Sequence, residues 1–518
     1  MGRQPLEVIK KLKEIETLIS RDESKEALKI LRRLKKKYPK NKTVVLKESG
    51  FLIDIAGISK NKKVLIEGIV KGKAALETKK FRKYKSTINY NIANGYHTLF
   101  TNKKYKRLSV ILDNENLINA KKHFALALKE KPKDELKTSI LTNYGNCLDH
   151  LGRSLEALYC YNQALEINPN HSMAKGNRAK TLIHFANISG ALIEENYITA
   201  YQDIKSIINK PDLLAIGGNF ANQQFKEELL RIERLCRDKD VLKTQIRCTS
   251  KQTNSSLTDF EKHYISFCKK HKLFLNFKVT ECNCESALAD SVFIRILTPI
   301  NQDKKFYLLA KKINEIKEDF MISRILLTES LYKRKEYASI SKRTTFVDTL
   351  DYANYGVFSG LLKNSFRVAY NTLDKIAFFI NDYLKLKMND NSIYFHSIWE
   401  NRNRIKNKIK KTKNISLFAI YDLHLDFKNE PDYEKIKKIR NSITHRKLII
   451  YDSLFFKQNK KEDYENIDYD TMLSNTIKLM KILKSAIIYL INFVENEENK
   501  KSKKIIGTVP FTYTKTIQ

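Results

Sequence analysis

The residues best equipped for chemistry lie near the C-terminus, in Lys435-Ile436-Lys437-Lys438-Ile439-Arg440-Asn441-Ser442-Ile443-Thr444-His445-Arg446. Arg440 is a permanent cation, Asn441 a neutral amide, Ser442 and Thr444 are hydroxyls and His445 is a titratable imidazole. An arginine fork holds a phosphate through two parallel N–H bonds, and an imidazole moves a proton near neutral pH. The set therefore suits proton transfer at a phosphate. Spacing alone is a weak guide, because 21 Arg and 10 His in 518 residues supply about one such match by chance. A second match exists, Arg178 and His184. Context separates them: Arg440 is followed by a polar amide, Arg178 by Ala179.

The 518 residues are enough for two to four domains with buried cores. Only 15 Gly and 8 Pro favour long helices over tight turns. A hydrophobic content of 42% excludes a disordered tail. The formal net charge of +38 is carried mostly by lysine and suits polyanionic partners, nucleic acid above all. A compositional bias toward Lys, Asn and Ile would give the same charge, so both origins stay open. The seven cysteines are scattered, and the Cys282/Cys284 pair has no second pair at metal spacing. They read as buried or free thiols of a reducing cytosol. Charge interrupts Ile9 to Ile19, so no signal peptide is expected. No uncharged run reaches the roughly 18 residues of a membrane span, and the most apolar stretch, Ile487 to Val494, is too short. A cytoplasmic protein without membrane contact is expected.

The N-terminal half repeats itself. Ala27, Leu31, Leu34 and Pro39 stand at offsets 0, 4, 7 and 12, as do Ala120, Phe124, Ala127 and Pro132, and Ala157, Tyr161, Ala164 and Pro169. Three such residues share a helix face and the proline ends the helix. In the third copy Gly145, with Leu141, Tyr144 and Leu148, completes a first helix, and residues 138–171 resemble one tetratricopeptide (TPR) unit. The second copy carries an insertion, Asn102 to Asn114, and residues 172–208 read as a degenerate further unit with Ala179 at the glycine position. A TPR-like α-solenoid over residues 1–208 binds a protein or peptide ligand on its concave face instead of catalysing. Arg178 and His184 then become surface or packing positions. The basic stretches Arg32 to Lys42 and Lys79 to Lys85 are either solvated faces or RNA contacts.

Residues 209–350 read as a small α+β connector, with a short helix at Phe260 to His271, a strand at Leu273 to Val279 and helical spacing from Phe306 to Tyr337. Residues 351–500 read as a bundle. Its helices are Gly356 to Lys387, Tyr394 to Lys411, Leu417 to Leu425, one opened by Pro431, and Thr471 to Glu495, followed by a tail at 501–518. Leu362, Phe366, Ala369, Leu373, Ile376, Ala377, Ile380 and Leu384 form the stripe of the first, and Arg367, Asn371 and Asp374 share another face.

Four pieces occur in order: Asn364 to Tyr370, Leu373 to Ala377, Tyr421 to Leu423, and Ile439-Arg440-Asn441 through His445-Arg446. With Phe267-Cys268 and Leu273 to Asn276 before them, they resemble the HEPN superfamily of metal-independent ribonucleases, in the branch found C-terminal to TPR-like repeats in bacterial proteins. The resemblance implies that Arg440 binds the phosphate, His445 acts as general acid or base and Asn441 positions one or the other, with no metal or nucleotide cofactor. It implies cleavage by the 2′-OH to a cyclic phosphate, a role as toxin or antiviral defence effector under a TPR sensor, and a homodimer through the C-terminal bundle. Asp374 and Arg367 are supporting candidates. Arg402, Arg404, Lys406, Lys408, Lys410, Lys411 and Arg446 are candidates for tracking RNA phosphates, or a solvated helix end. Trp399, His396 and His424 read as core, packing or surface residues. Five residues of helix turn by about 140°, so Arg440 and His445 do not share a face, and the site needs a distorted helix or a second copy. A non-catalytic RNA- or nucleotide-binding scaffold is the alternative, since many HEPN domains have lost activity. A TPR adaptor for proteins alone leaves the charge unexplained.

Overall fold

The computed structural model describes residues 5–103, 111–112, 114–236, 240–243, 257–278, 285–295, 297–299, 304–332, 334–399, 402–429, 431–454, 456, 465–502 and 508–510. Cys282 and Cys284, most of the Asn102 to Asn114 insertion and most of the tail lie outside them. The chain divides into two units, Met1–Ile246 and Arg247–Gln518.

The first unit is an array of helices: α1 (Leu6–Ser20), α2 (Ser24–Lys37), α3 (Lys42–Ser59), α4 (Lys62–Glu77), α5 (Lys85–Thr101), α6 (Glu115–Lys129), α7 (Asp134–His150), α8 (Ser154–Ile167), α9 (Ser172–Ser189), α10 (Ile193–Lys205) and α11 (Pro211–Leu235). Consecutive helices pair, each pair packs on the next, and α11 also touches α1. The repeated positions explain the stacking. Ala27, Leu31 and Leu34, Ala120, Phe124 and Ala127, and Ala157, Tyr161 and Ala164 are all buried. Pro39, Pro132 and Pro169 lie just past the ends of α2, α6 and α8. Asn41, Asn61 and Asn114 cap α3, α4 and α6 with their side-chain oxygens. Gly145 allows α7 and α8 to close, since a Cβ there would sit 2.5 Å from the Tyr161 ring. In the basic stretch from Arg32, Arg32 pairs with Glu67, Lys35 with Glu48 and Lys37 with Glu7.

The second unit contains α12 (Asp259–His271), α13 (Lys304–Tyr332), α14 (Lys335–Ser341), α15 (Val357–Tyr383), α16 (Arg402–Thr412), α17 (Ile415–Asn429), α18 (Pro431–His445) and α19 (Tyr469–Ser502). Its strands are β1 (Leu297–Pro299), β2 (Ala353–Asn354), β3 (Ile449–Tyr451), β4 (Asn466–Asp468) and β5 (Thr508–Pro510). Helices α13, α15 and α17 pack on α19. Every residue from Ile487 to Val494 is buried, so this apolar stretch is the middle of a core helix enclosed on all sides. No helix among the described residues is long and apolar enough to cross a membrane. In α15 the residues Leu362, Phe366, Ala369, Leu373, Ile376, Ala377 and Ile380 are buried.

The small sheet runs β2-β3-β4, with β3 antiparallel to β2 (Ala353↔Tyr451) and parallel to β4 (Ile450↔Ile467). It ties the end of α18 to the starts of α15 and α19. Strands β1 and β5 pair antiparallel, Leu297 opposite Pro510.

Three expectations need correction. Leu273 to Lys278 is not a strand. Leu273, Phe274, Leu275 and Phe277 are all buried. The backbone N–H of Leu275 goes to Asp290 Oδ1 and Asn276 Nδ2 bonds the carbonyls of Ala287 and Ala289, so no partner strand is needed. The spacing from Phe306 to Tyr337 is divided between α13 and α14, with Arg334 in extended backbone at the entry to α14. Residues 395–399 form turns, and α16 begins only at Arg402.

Candidate active site

Helix α18 supplies the core of the site. Ile436, Ile439 and Ser442 are buried and fix its rotation, which leaves Lys437, Arg440, Asn441 and His445 on the open side. The helix is unbroken through His445. The 140° between Arg440 and His445 is bridged by the length of the arginine and by the position of His445 on the final turn. Arg440 Nη1 donates to Asn441 Oδ1 at 3.2 Å and faces His445 Nε2 at 3.5 Å. Neither a distorted helix nor a second copy is required for the two to meet. Arginine has donors only, so in any hydrogen bond between the two His445 Nε2 is the acceptor.

Asp374 on α15 anchors the arrangement. Its Oδ2 lies 3.9 Å from Arg440 Nη2, and its Oδ1 accepts the backbone N–H of Phe395 at 2.8 Å. Burial raises the Asp374 carboxyl to about 6, opposed by the Phe395 N–H and the Arg440 cation. The guanidinium also lies over the rings of Tyr370, at 5.4 Å, and Tyr394, at 6.0 Å. Its Nε is buried with no hydrogen-bond partner among the described residues. Burial raises the Tyr370 hydroxyl's pKa, and the Asp374 carboxylate adds to the shift.

Phe395, Ile398 and Trp399 hold the turn before α16 in the core, with Trp399 edge-on to Phe395 and Tyr421. That turn presents Tyr394 and His396, whose rings stack at 5.7 Å and 19°. Tyr394, His396, Lys437, Arg440, Asn441, His445 and Arg446 line one open cleft of about 370 Å³. The cleft is cationic, aromatic and imidazole-bearing, suited to an anion joined to a ring.

The structure thus brings Arg440, Asn441, His445, Arg446 and Asp374 together. Arg367 is exposed two turns of α15 away from Asp374 and makes no contact with the cleft among the described residues. Lys408 is turned elsewhere: its Nζ donates to the carbonyls of Leu384 and Lys385, closing the C-terminal end of α15. Lys410 and Lys411 are exposed. The side chains of Arg402, Arg404 and Lys406 lie outside the described residues. From sequence, Tyr394, Lys437 and Tyr370 have no chemical role and His396 reads as a packing or surface residue, whereas here Tyr394, His396 and Lys437 line the cleft and Tyr370 lies under Arg440. The Tyr394-Phe395-His396 run, an imidazole beside two rings, is the available signal, though it reads along the chain as the start of a helix. His424 is buried, and burial pulls its imidazole down to about 3, with the Lys428, His396 and Lys437 charges adding.

In comparison with known proteins, residues 300–497 match the LA2681-like HEPN family and residues 139–171 match the tetratricopeptide repeat. The first match takes in α13 to α18 and most of α19, and therefore the whole cleft; Phe267-Cys268 and Leu273 to Asn276 lie before it. No curated protein and no solved structure matches the chain.

Proposed function

We propose that this chain, whose residues 300–497 form an LA2681-like HEPN domain beside a tetratricopeptide array, is a metal-independent endoribonuclease. The observation that carries the reading is the meeting of Arg440 and His445 at 3.5 Å in one open cleft. Arg440 holds the scissile phosphate and neutralises charge that builds on its oxygens. His445 Nε2 takes the proton of the 2′-OH as it attacks. The O2′–P bond forms, the P–O5′ bond breaks, and a 2′,3′-cyclic phosphate and a 5′-OH result. Asn441 fixes the guanidinium through its side-chain oxygen, and Asp374 fixes it from behind. Lys437 and Arg446 extend the positive lining along the strand.

The TPR array senses a trigger or holds an inhibitor through a protein or peptide ligand, and the C-terminal bundle forms a homodimer. These features suit a toxin or defence effector. The test is cleavage of total RNA by the purified full chain in EDTA, beside Arg440→Ala and His445→Ala, with light scattering for the oligomeric state. Cleavage lost in both variants, with cyclic-phosphate ends, supports the reading. Salt-sensitive RNA binding without cleavage, by a dimer that is also harmless when expressed in cells, would replace it with the scaffold reading.

A further inference from the structure

Cleavage of this type needs two proton transfers. One group removes the 2′-OH proton and another delivers a proton to the departing 5′-oxygen. The Arg440-to-His445 motif contains one imidazole, and its Nε2 faces a donor-only guanidinium at 3.5 Å, which suits it to the base. The acid must come from elsewhere in the cleft. Four of the lining residues, Lys437, Arg440, Asn441 and Arg446, carry no group that ordinarily delivers a proton near neutral pH. Tyr394 is a phenol with an ordinary value near 10. What remains is His396.

Three features place His396 for that task. It lines the same cleft as His445 but reaches it from the turn before α16 instead of from α18. Its Nδ1 is buried, which leaves Nε2 as the nitrogen that can reach the cleft. Its position is tied to the arginine by a single carboxylate: Asp374 Oδ1 holds the Phe395 N–H, next in the chain to His396, while Asp374 Oδ2 faces Arg440. Buried Phe395 and Ile398 on either side stop the turn from swinging away. The charged and titratable groups around it are Tyr394, Lys437, Arg440, His445 and Arg446 in the cleft, Asp374 on α15 and His424 on α17.

We propose that His396 is the general acid of this site, so that both imidazoles of the acid–base pair come from one chain. The proton leaves imidazolium Nε2 of His396 as the P–O5′ bond breaks and ends on the 5′-oxygen. His445 gains the proton of the 2′-OH. The two histidines exchange protons with water before the next turnover, and no further reactant is needed. This rests on the ribonuclease reading above.

The test uses the full chain with two substrates, an oligoribonucleotide and a nucleoside 3′-(4-nitrophenyl) phosphate, whose leaving group departs without a proton. His396→Ala and the closer-shaped His396→Asn should lose roughly 10²–10⁴-fold in rate on RNA. Both should stay within about tenfold of the parent on the nitrophenyl ester, and the alkaline limb of the RNA pH–rate profile should vanish. His445→Ala should fail on both substrates. Full RNA cleavage by His396→Asn overturns the proposal. So does an equal loss on both substrates, which marks a structural role, and so does leaving-group dependence in Lys437→Ala instead. If the parent chain cleaves neither substrate, it is the ribonuclease reading itself that falls.

Discussion

Helices α9 and α18 each carry an arginine followed within six residues by a histidine, and they use the pair in opposite ways. On α9, Arg178 is closed into the array. It donates to both carboxylate oxygens of Asp203 on α10, at 2.8 and 2.7 Å, and to Asn162 Oδ1 on α8 at 3.0 Å. His184 is exposed, 3.9 Å from Asp149. On α18, Arg440 has only a 3.9 Å approach to a carboxylate whose charge burial disfavours, and it turns toward His445 and the cleft. The lesson is that the partner decides the role. A guanidinium filled by a bidentate carboxylate is a rivet; one left half-satisfied in a cleft is available to a phosphate. The same contrast separates Lys408, engaged with the end of α15, from the exposed Lys410 and Lys411.

The contrast can be broken most sharply by exchanging the arginines' fates. Arg440→Ala should lower RNA cleavage at least about 100-fold, the scale of removing one charge-stabilising donor, with little change in urea stability. Arg178→Ala should leave cleavage within a few-fold and cost roughly 1.5–3 kcal/mol of stability, as loss of hydrogen bonds to a charged group does. Equal effects of the two on cleavage would end the distinction. The histidines should follow suit: His445→Ala loses about 10²–10⁴-fold in rate and His184→Ala almost nothing, measured on the same RNA.

Asp374 sharpens the comparison through pH. Folding raises this carboxyl from 3.8 to about 6, so the folded state disfavours its charge. The associated stability is present below about pH 4 and is lost as pH rises through about 6. Asp374→Asn should therefore melt no lower than the parent at pH 8, with a relative gain of up to about 3 kcal/mol that falls by about half at pH 5 and disappears below about pH 4. Its cleavage rate should fall about tenfold, one step of 1.4 kcal/mol in positioning. A variant that melts lower at pH 8 than at pH 5 relative to the parent would contradict this. The smallest effect is expected at the lysines. Lys410→Ala with Lys411→Ala should reduce the salt slope of RNA binding by about 2, whereas Lys408→Ala should leave the slope unchanged and cost about 1 kcal/mol through the open helix end.

Much of this was legible along the chain. The offsets of Ala27, Ala120 and Ala157 mark the paired helices because stacking demands small or apolar residues at fixed turns, and a family match at 139–171 agrees. The stripe of α15 and the start of α18 at Pro431 follow from periodicity and proline. Elsewhere the signal was too short or pointed the wrong way. Strands of two or three residues such as β2 and β3 cannot display an alternation, and the alternation that Leu273 to Phe277 does display serves a buried loop.

Arg440, Asn441 and His445 could be found because their residue types lie close together in one helix. The sequence by itself determined that cation, amide and imidazole stand within one helix end, and that an apolar α19 would form a core. Only the tertiary structure decided that Asp374, 66 positions before Arg440, would hold both that arginine and the turn bearing His396. It also decided that Lys408 would close a helix instead of facing solvent. The physical reason is that a side chain's role depends on which partners folding brings within hydrogen-bond reach, and those partners come from other helices.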